Sequence, residues 1–430
     1  MISPRIAAKN VRYRWKRYVF LFAALSLSFA LILVLTGLSG GMTRNVNDAA
    51  IRRYGGNLFV LGHQQSPYYT PVIRDHAALL AAVKEAGIDA NRIVRRTHYF
   101  ENGLIFFNGY SARQKVVAGI DWAAEERLFS GMQFLSGSQM GMRGSNGILI
   151  SSVTAKELQA RTGDDVLLEV DTVTGQRNTT TMVVMGIFND ASIFGAYTSY
   201  VDISDLNLLI GLSQEEYTIL GIYLRNPGSA ARDAARLYTA LSKAVPLFAP
   251  VATQQELWTR LGERWTGVKY AVLNLDGYLA EIKDLISAVD LGLYLLLVMM
   301  LAIIVLGIGN AYRVIVHERT REFGTMRALG MPRAGISRLI VCETLFLSVI
   351  GIAAGSVIGF SLLYMLGSVP APRVPGFDIF LQKGRLGWHL KPIIFPLDAL
   401  SVIVAVMIGG LIPARRASSV TPAWALRLDT

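Results

Sequence analysis

One cysteine, Cys342, occurs in 430 residues, and it lies in an apolar stretch. The long polar middle of the chain has none, so no disulfide holds that part together. No lysine is followed by serine or threonine. The phosphate-cradling loop G-x-x-x-x-G-K-[ST] is therefore missing, and the chain has no means of holding ATP in that way. Four of the five histidines, His63, His76, His98 and His389, lie in the segments read below as external. None has metal-ligand spacing to another or to the cysteine, so they read as surface or core residues and no metal site is expected. Charge itself is scarce in four long runs: Tyr18 to Thr43 has none, and Leu291 to Tyr312 has none. Ile336 to Gly367 holds only Arg338 near its start and Glu343 inside, and Pro392 to Ala414 holds only Asp398.

Each of these runs reaches the roughly 20 residues that cross a bilayer as a helix. With 52% hydrophobic residues and a mean hydropathy of +0.39, the composition is that of a membrane protein with a polar portion. The net charge of +11 is unevenly spread. Residues 1–17, 313–338 and 414–430 together carry fifteen basic and three acidic groups, whereas 42–284 carries 23 basic and 24 acidic. Four spans put the first three segments on one side, and their positive excess marks that side as cytoplasmic. The basic balance thus reports topology, and no nucleic-acid partner is expected. The first uncharged run is longer than a signal-peptide core of about 7–15 residues and no A-x-A site follows it, so it reads as an uncleaved anchor.

The expected order is as follows. Residues 1–17 form a basic segment, either an amphipathic helix on the cytoplasmic surface, with Ile6, Val11, Trp15 and Tyr18 toward lipid, or a simple topogenic flank. The spans cover 18–41, 285–312, 336–367 and 395–413, with a cytoplasmic loop at 313–335, an external loop at 368–394 and a cytoplasmic tail at 414–430. Residues 42–252 form a large external domain of mixed α and β structure. Strands are expected at 58–61, 104–107, 115–120, 147–151, 166–170, 180–188, 197–203 and 219–224, and helices at 79–86, 153–161 and 229–244. Gly37 to Gly41 match the hydrolase pattern G-x-S-x-G, but at the end of a membrane helix the match is accidental.

Thr253 followed by Glu256 reads as a capping box. From there Leu261, Trp265, Val268, Val272, Leu275, Leu279, Ile282 and Ile286 recur at alternating spacings of four and three, a heptad seam. This predicts a helical stalk over 253–284 running into the second span; an ordinary core-facing helix is the plainer reading, and Asn274, Asp276 and Gly277 are a possible break in it. Gly351, Gly355 and Gly359 make a small-residue face for close helix packing. Glu343 is an intramembrane carboxylate, hence a functional candidate, with pairing to a loop arginine such as Arg338 as the structural alternative. Between the second and third spans, Tyr312 to Pro332 reads as a short charged helix. Glu318 with Arg321 and Arg319 with Glu322 are i,i+3 pairs too weak to exist for stability alone. Phe323, Met326 and Leu329 are expected on one face, free to seat in a partner's groove, and Gly330 and Pro332 end the helix.

Two motifs carry a family resemblance. Glu318-Arg-Thr-Arg-Glu-Phe-Gly-Thr-Met-Arg-Ala-Leu-Gly330 and Pro413-Ala-Arg-Arg-Ala-Ser-Ser-Val-Thr-Pro-Ala-Trp-Ala-Leu-Arg427 resemble blocks of the ABC transporter permeases that include MacB, FtsX and the LolC and LolE pair. Gly119 to Asp121, Gly147 to Ser151 and Val184 to Ile187 look, more weakly, like the periplasmic core domain of that family. The resemblance implies an FtsX-like permease domain over about 290–424 and an inner-membrane location. It implies no cofactor in this chain, ATP and Mg being bound by two copies of a cytoplasmic ABC ATPase. It also implies a second permease subunit, the same or different, in contact with lipid, and leaves room for a periplasmic adaptor or carrier protein. ATP hydrolysis would then move the external domains, to export or extract a lipoprotein, peptide or hydrophobic small molecule, or, as in FtsX, to activate a cell-wall hydrolase. The coupling residues so implied are Glu318, Arg319, Arg321, Glu322, Phe323, Met326, Arg327, Leu329 and Gly330.

Overall fold

The computed structural model describes residues 15–65, 69–100, 103–129, 132–189, 195–369, 381–382 and 385–419. Nearly all of the segment 1–17, much of the loop 368–394 and the end of the tail lie outside them. In chain order the helices are α1 (Trp15–Tyr54), α2 (His76–Glu85), α3 (Trp122–Phe129), α4 (Ser152–Leu158), α5 (Ile203–Ile210), α6 (Ala230–Leu241), α7 (Gln254–Leu261), α8 (Leu275–Tyr278), α9 (Ala280–Glu318), α10 (Thr320–Ala328), α11 (Arg333–Ser368) and α12 (Ile394–Ser419). The strands are β1 (Leu58–Gln65), β2 (Tyr69–Pro71), β3 (Ala90–Tyr99), β4 (Gly103–Phe107), β5 (Tyr110–Gln114), β6 (Val116–Ile120), β7 (Phe134–Gly137), β8 (Gly147–Ser151), β9 (Asp165–Asp171), β10 (Arg177–Phe188), β11 (Thr198–Asp202), β12 (Ile219–Leu224), β13 (Val268–Asn274), β14 (Leu381–Gln382) and β15 (Arg385–Leu386). The chain divides into two units, one made of residues 1–43, 287–370 and 386–430, the other of 44–286 and 371–385.

In the first unit α1, α9, α11 and α12 are each long and apolar enough to cross a membrane. They begin earlier or end later than the uncharged runs. In particular α1 continues to Tyr54, and α12 runs through Pro413 to Ser419 instead of stopping there; membrane helices accommodate an interior proline where neighbours meet the freed backbone groups. The glycine face of α11 packs on α1. A β-carbon on Gly355 would stand 2.5 Å from the backbone oxygen of Ser26, and one on Gly359 2.8 Å from Leu33 Cδ2. The backbones are in contact there, and no rotamer change relieves the Ser26 clash. Gly355→Ala is therefore expected to cost about 1–3 kcal/mol by overpacking, whereas Gly351→Ala, meeting only the Leu25 side chain at 3.0 Å, should cost less. Thermal unfolding of the two purified variants reads the difference, and equal midpoints would show that the contact yields.

The second unit is built on a 13-stranded mixed sheet with the order β13-β1-β12-β3-β6-β11-β8-β10-β9-β4-β5, β2 pairing with β1 and β7 with β10. Most neighbours are antiparallel; β6 with β11 and β8 with β10 are parallel. The local signals read from sequence act where expected. Ser151 caps α4 by accepting from Thr154 N, and Thr253 caps α7 by accepting from Glu256 N. The Glu256 carboxylate reaches back one residue further than a capping box requires, to the Ala252 N–H at 2.7 Å.

The stalk is corrected. Only Gln254–Leu261 is helical at its start; Gly262 ends that helix, Gly267 sits at φ +73°, and Val268–Asn274 is strand β13. Spacing of four puts Val268 and Val272 on one face of a strand as well as of a helix. The run Tyr270-Ala-Val-Leu273 is buried throughout, and the strand as a whole pairs with β1 over seven registered residues, so sheet pairing wins over the heptad. Trp265 lies in the connection, Leu275 in the one-turn helix α8, Leu279 just before α9, and only Ile282 and Ile286 lie on α9. β1 and β13 meet at Leu58↔Asn274, so the strand entering the domain and the strand leaving it are neighbours on one ladder.

Candidate coupling site

The loop between the two central spans is ordered by a buried charge cluster. α9 stops at Glu318, and Arg319, at φ −100°, leaves the helical path before α10 begins. The bend turns the Arg319 side chain inward, where it is only 3% exposed. Its Nη1 donates to Glu343 Oε2 on α11 at 2.7 Å, and its Nε donates to Glu322 at 3.2 Å. The Tyr18 hydroxyl of α1 donates to the same Glu343 oxygen at 3.2 Å. The guanidinium also lies over the Phe323 ring, 5.0 Å from its centroid. One carboxylate, itself fully buried, thus joins α1, the loop and α11. Its partner is Arg319, not Arg338. Arg338 lies five residues before Glu343 on the same helix, about 140° away around its axis, and is exposed.

The outward face of α10 also differs from expectation. Phe323 is fully buried and Met326 is packed against the core of the unit, so neither is open to a partner's groove. Arg321, Thr325, Ala328 and Leu329 are exposed, Leu329 at 89%. Those positions recur at the four-three-one intervals of a single helical stripe. Glu318 and Gly330 extend it at the ends. Arg327 turns sideways and donates to the Ser418 carbonyl on α12 at 3.2 Å. The helix is thus held from behind by Phe323 and Arg319 and from the side by Arg327, and offers its remaining face to solvent.

A second cluster, in the sheet unit, was not foreseen. The α1 helix ends at Tyr54 with Gly55 at φ +83° and Gly56 at φ +145°. A β-carbon on Gly56 would meet the Ile222 oxygen at 2.4 Å, and one on Gly221 the Gly55 oxygen at 2.1 Å. Only glycine lets the helix end lie this close on β12. Arg96 of β3, fully buried, donates to the carbonyls of Arg52 and Arg53 in the last turn of α1. The same guanidinium forks onto Glu125 of α3, with Nε at 3.0 Å from Oε1. Burial alone would lower the Arg96 pKa, but the Glu125 carboxylate outweighs it and keeps the group charged. A cation on the last carbonyls complements the helix dipole. The sequence signal for β3 is weak because Arg92, Arg95 and Arg96 interrupt its apolar residues, and no local pattern reveals that one of three arginines points inward.

Comparisons with known proteins place both units. Residues 20–259 match the MacB-like periplasmic core domain and residues 294–422 the FtsX-like permease C-terminal domain. The probable syringafactin export ATP-binding/permease protein SyfD of Pseudomonas syringae pv. syringae is 30% identical over 156 residues, 36% of this chain and 22% of that one. The ABC transporter permease YtrF of Bacillus subtilis is 27% identical over 127 residues, 29% of each. The matches span less than a third of the length of these curated relatives. The crystal structure of the periplasmic region of MacB from Actinobacillus actinomycetemcomitans aligns with 55% of this chain and 95% of that one, at 13% identity and a TM-score of 0.31.

Proposed function

This chain belongs to the family of ABC transporter permeases that carry a MacB-like periplasmic core domain and an FtsX-like permease domain, and on that footing we propose that it is the permease subunit of a transporter driven by a separate cytoplasmic ATPase. The loop 313–335 is cytoplasmic, by its share of the positive charge. The ATPase docks on the stripe Arg321, Thr325, Ala328 and Leu329 and pushes α10. The buried Arg319–Glu343–Tyr18 cluster makes that push common to the ends of α1, α9 and α11. α1 and α9 lead to the extracytoplasmic domain, which moves to export or extract its cargo. The working unit is a dimer, as the poorly covered α9, the least buried of the four apolar helices, would allow.

The observation that carries this reading is the exposed stripe standing on a buried, ion-paired support. A solvated charged helix would not need such a support. Leu329→Asp and Arg321→Glu are each expected to abolish stimulation of the partner ATPase in reconstituted membranes. Unfolding free energies should stay within about 0.5 kcal/mol of the parent, as for surface changes generally. Full stimulation in both variants would remove the docking site from α10. A wild-type chain that stimulates its ATPase but moves no cargo, and instead activates an external hydrolase, would replace transport by regulation while leaving the coupling intact.

A further inference from the structure

The extracytoplasmic domain contains a cavity of about 560 Å³ that none of the coupling residues lines. That volume lies within the range of about 300–1,000 Å³ typical of small-molecule sites. Leu61, Ile219 and Leu257 give it apolar walls, and Phe100 and Trp258, partly exposed, also line it. His98 of β3 also lines it.

His98 is the unusual member. It is 2% exposed, and neither ring nitrogen has a hydrogen-bond partner among the described residues. Its ring is held by aromatic neighbours instead, edge-on to Phe100 at 5.5 Å and tilted on Tyr54 at 6.1 Å. Buried polar atoms are ordinarily paired, and an unpaired one is a standing cost that a bound group can relieve. Burial, reinforced by the charges of Arg96 and Arg53, holds the ring well below its usual pKa, so it is neutral. His63 in the same wall is likewise kept neutral, its pKa pulled down to about 4 by burial. A neutral imidazole presents one donor and one acceptor. A hydroxyl or amide can answer both, a carboxylate only the donor, and an ammonium only the acceptor.

We propose that this cavity binds an uncharged amphiphile, with an aliphatic or aromatic body against Leu61, Ile219, Leu257 and Trp258 and a hydroxyl or amide group hydrogen-bonded to His98. The site does not depend on the docking stripe. Cargo and regulator alike would meet this chemistry.

The test uses the full chain in nanodiscs of unbrominated lipid, with bromoundecanol as probe and bromoundecane as its apolar counterpart. Bromine quenches indole fluorescence on contact, and Trp258 is in the wall. Bromoundecanol is expected to give saturable quenching that Trp258→Phe removes. After correction for partition into protein-free nanodiscs, it should bind about three- to tenfold more tightly than bromoundecane, the worth of one hydrogen bond. His98→Phe, which keeps an aromatic ring of somewhat larger size and removes the nitrogens, should erase that ratio without weakening bromoundecane. Absence of saturable quenching would overturn the site. Equal affinity of the two probes in the wild-type chain, or tighter binding of bromoundecanoate than of the alcohol, would overturn the assigned chemistry. The wild-type comparison decides even if the histidine variant does not fold.

Discussion

Arg319→Met lowers the stability of the full chain by about 3–5 kcal/mol, the cost of leaving one partner of a buried ion pair without the other. The effect is large because Glu343 is fully buried, and the Tyr18 hydroxyl that donates to it at 3.2 Å is neutral and cannot replace the cation. The double variant Arg319→Met with Glu343→Leu should recover most of the loss, since a packed apolar pair is often no less stable than a buried ionic one. It should not recover stimulation of the ATPase proposed above, because α10 would then rest on a support without the fixed geometry of a guanidinium fork. Thermal unfolding in nanodiscs, paired with ATPase assays, separates the two effects. A single variant that melts with the parent would mean that water reaches Glu343 in the bilayer. A double variant that couples normally would reduce the cluster to a packing device.

Arg96→Met should cost a similar 3–5 kcal/mol, in the extracytoplasmic domain this time, because Glu125 is fully buried beside it. It also strips the last carbonyls of α1 of their donor. Arg96→Lys keeps the charge but cannot serve Glu125 and two carbonyls from one planar fork, so an intermediate loss is expected. Hydrogen exchange gives a local readout: the amides of 51–56 should exchange faster in both variants, by more than the change at β9 and β10. Uniform exchange across the sheet would show that Arg96 supports the domain as a whole and does not specifically anchor the end of α1.

Much of the architecture was legible because it depends on composition over long windows. Four charge-poor runs gave four helices, and short, largely contiguous apolar runs gave eight of the strands. The helix caps at Ser151 and Thr253 were legible because they are local. The stalk failed because a four-three spacing is ambiguous when the segment is also a contiguous apolar run between glycines; pairing with β1, some 200 residues earlier in the chain, decided it. Two of the three residues expected on the outward face of α10, Phe323 and Met326, turn inward for a related reason, while Leu329 stays exposed. Helical periodicity groups residues by angle, but which angle faces inward depends on the kink at Arg319, and that is set by Glu343 and Tyr18, distant in sequence. Arg96 was missed because a charged residue inside a strand reads as solvent-facing until its partners on α1 and α3 are known.

The pairing of β1 with β13 bears on how such a chain could have been assembled over evolution. The domain's first and last strands are adjacent rungs at Leu58↔Asn274, and cross-strand partners lie only about 5 Å apart. Some two hundred residues are thus hung from two neighbouring points of attachment. A segment with that geometry can be trimmed, enlarged or traded between lineages, since its removal leaves a gap that a tight turn of a few residues can bridge. The core domain is in that sense a detachable head, whose two ends meet on one ladder and ask nothing of the spans but two neighbouring attachment points.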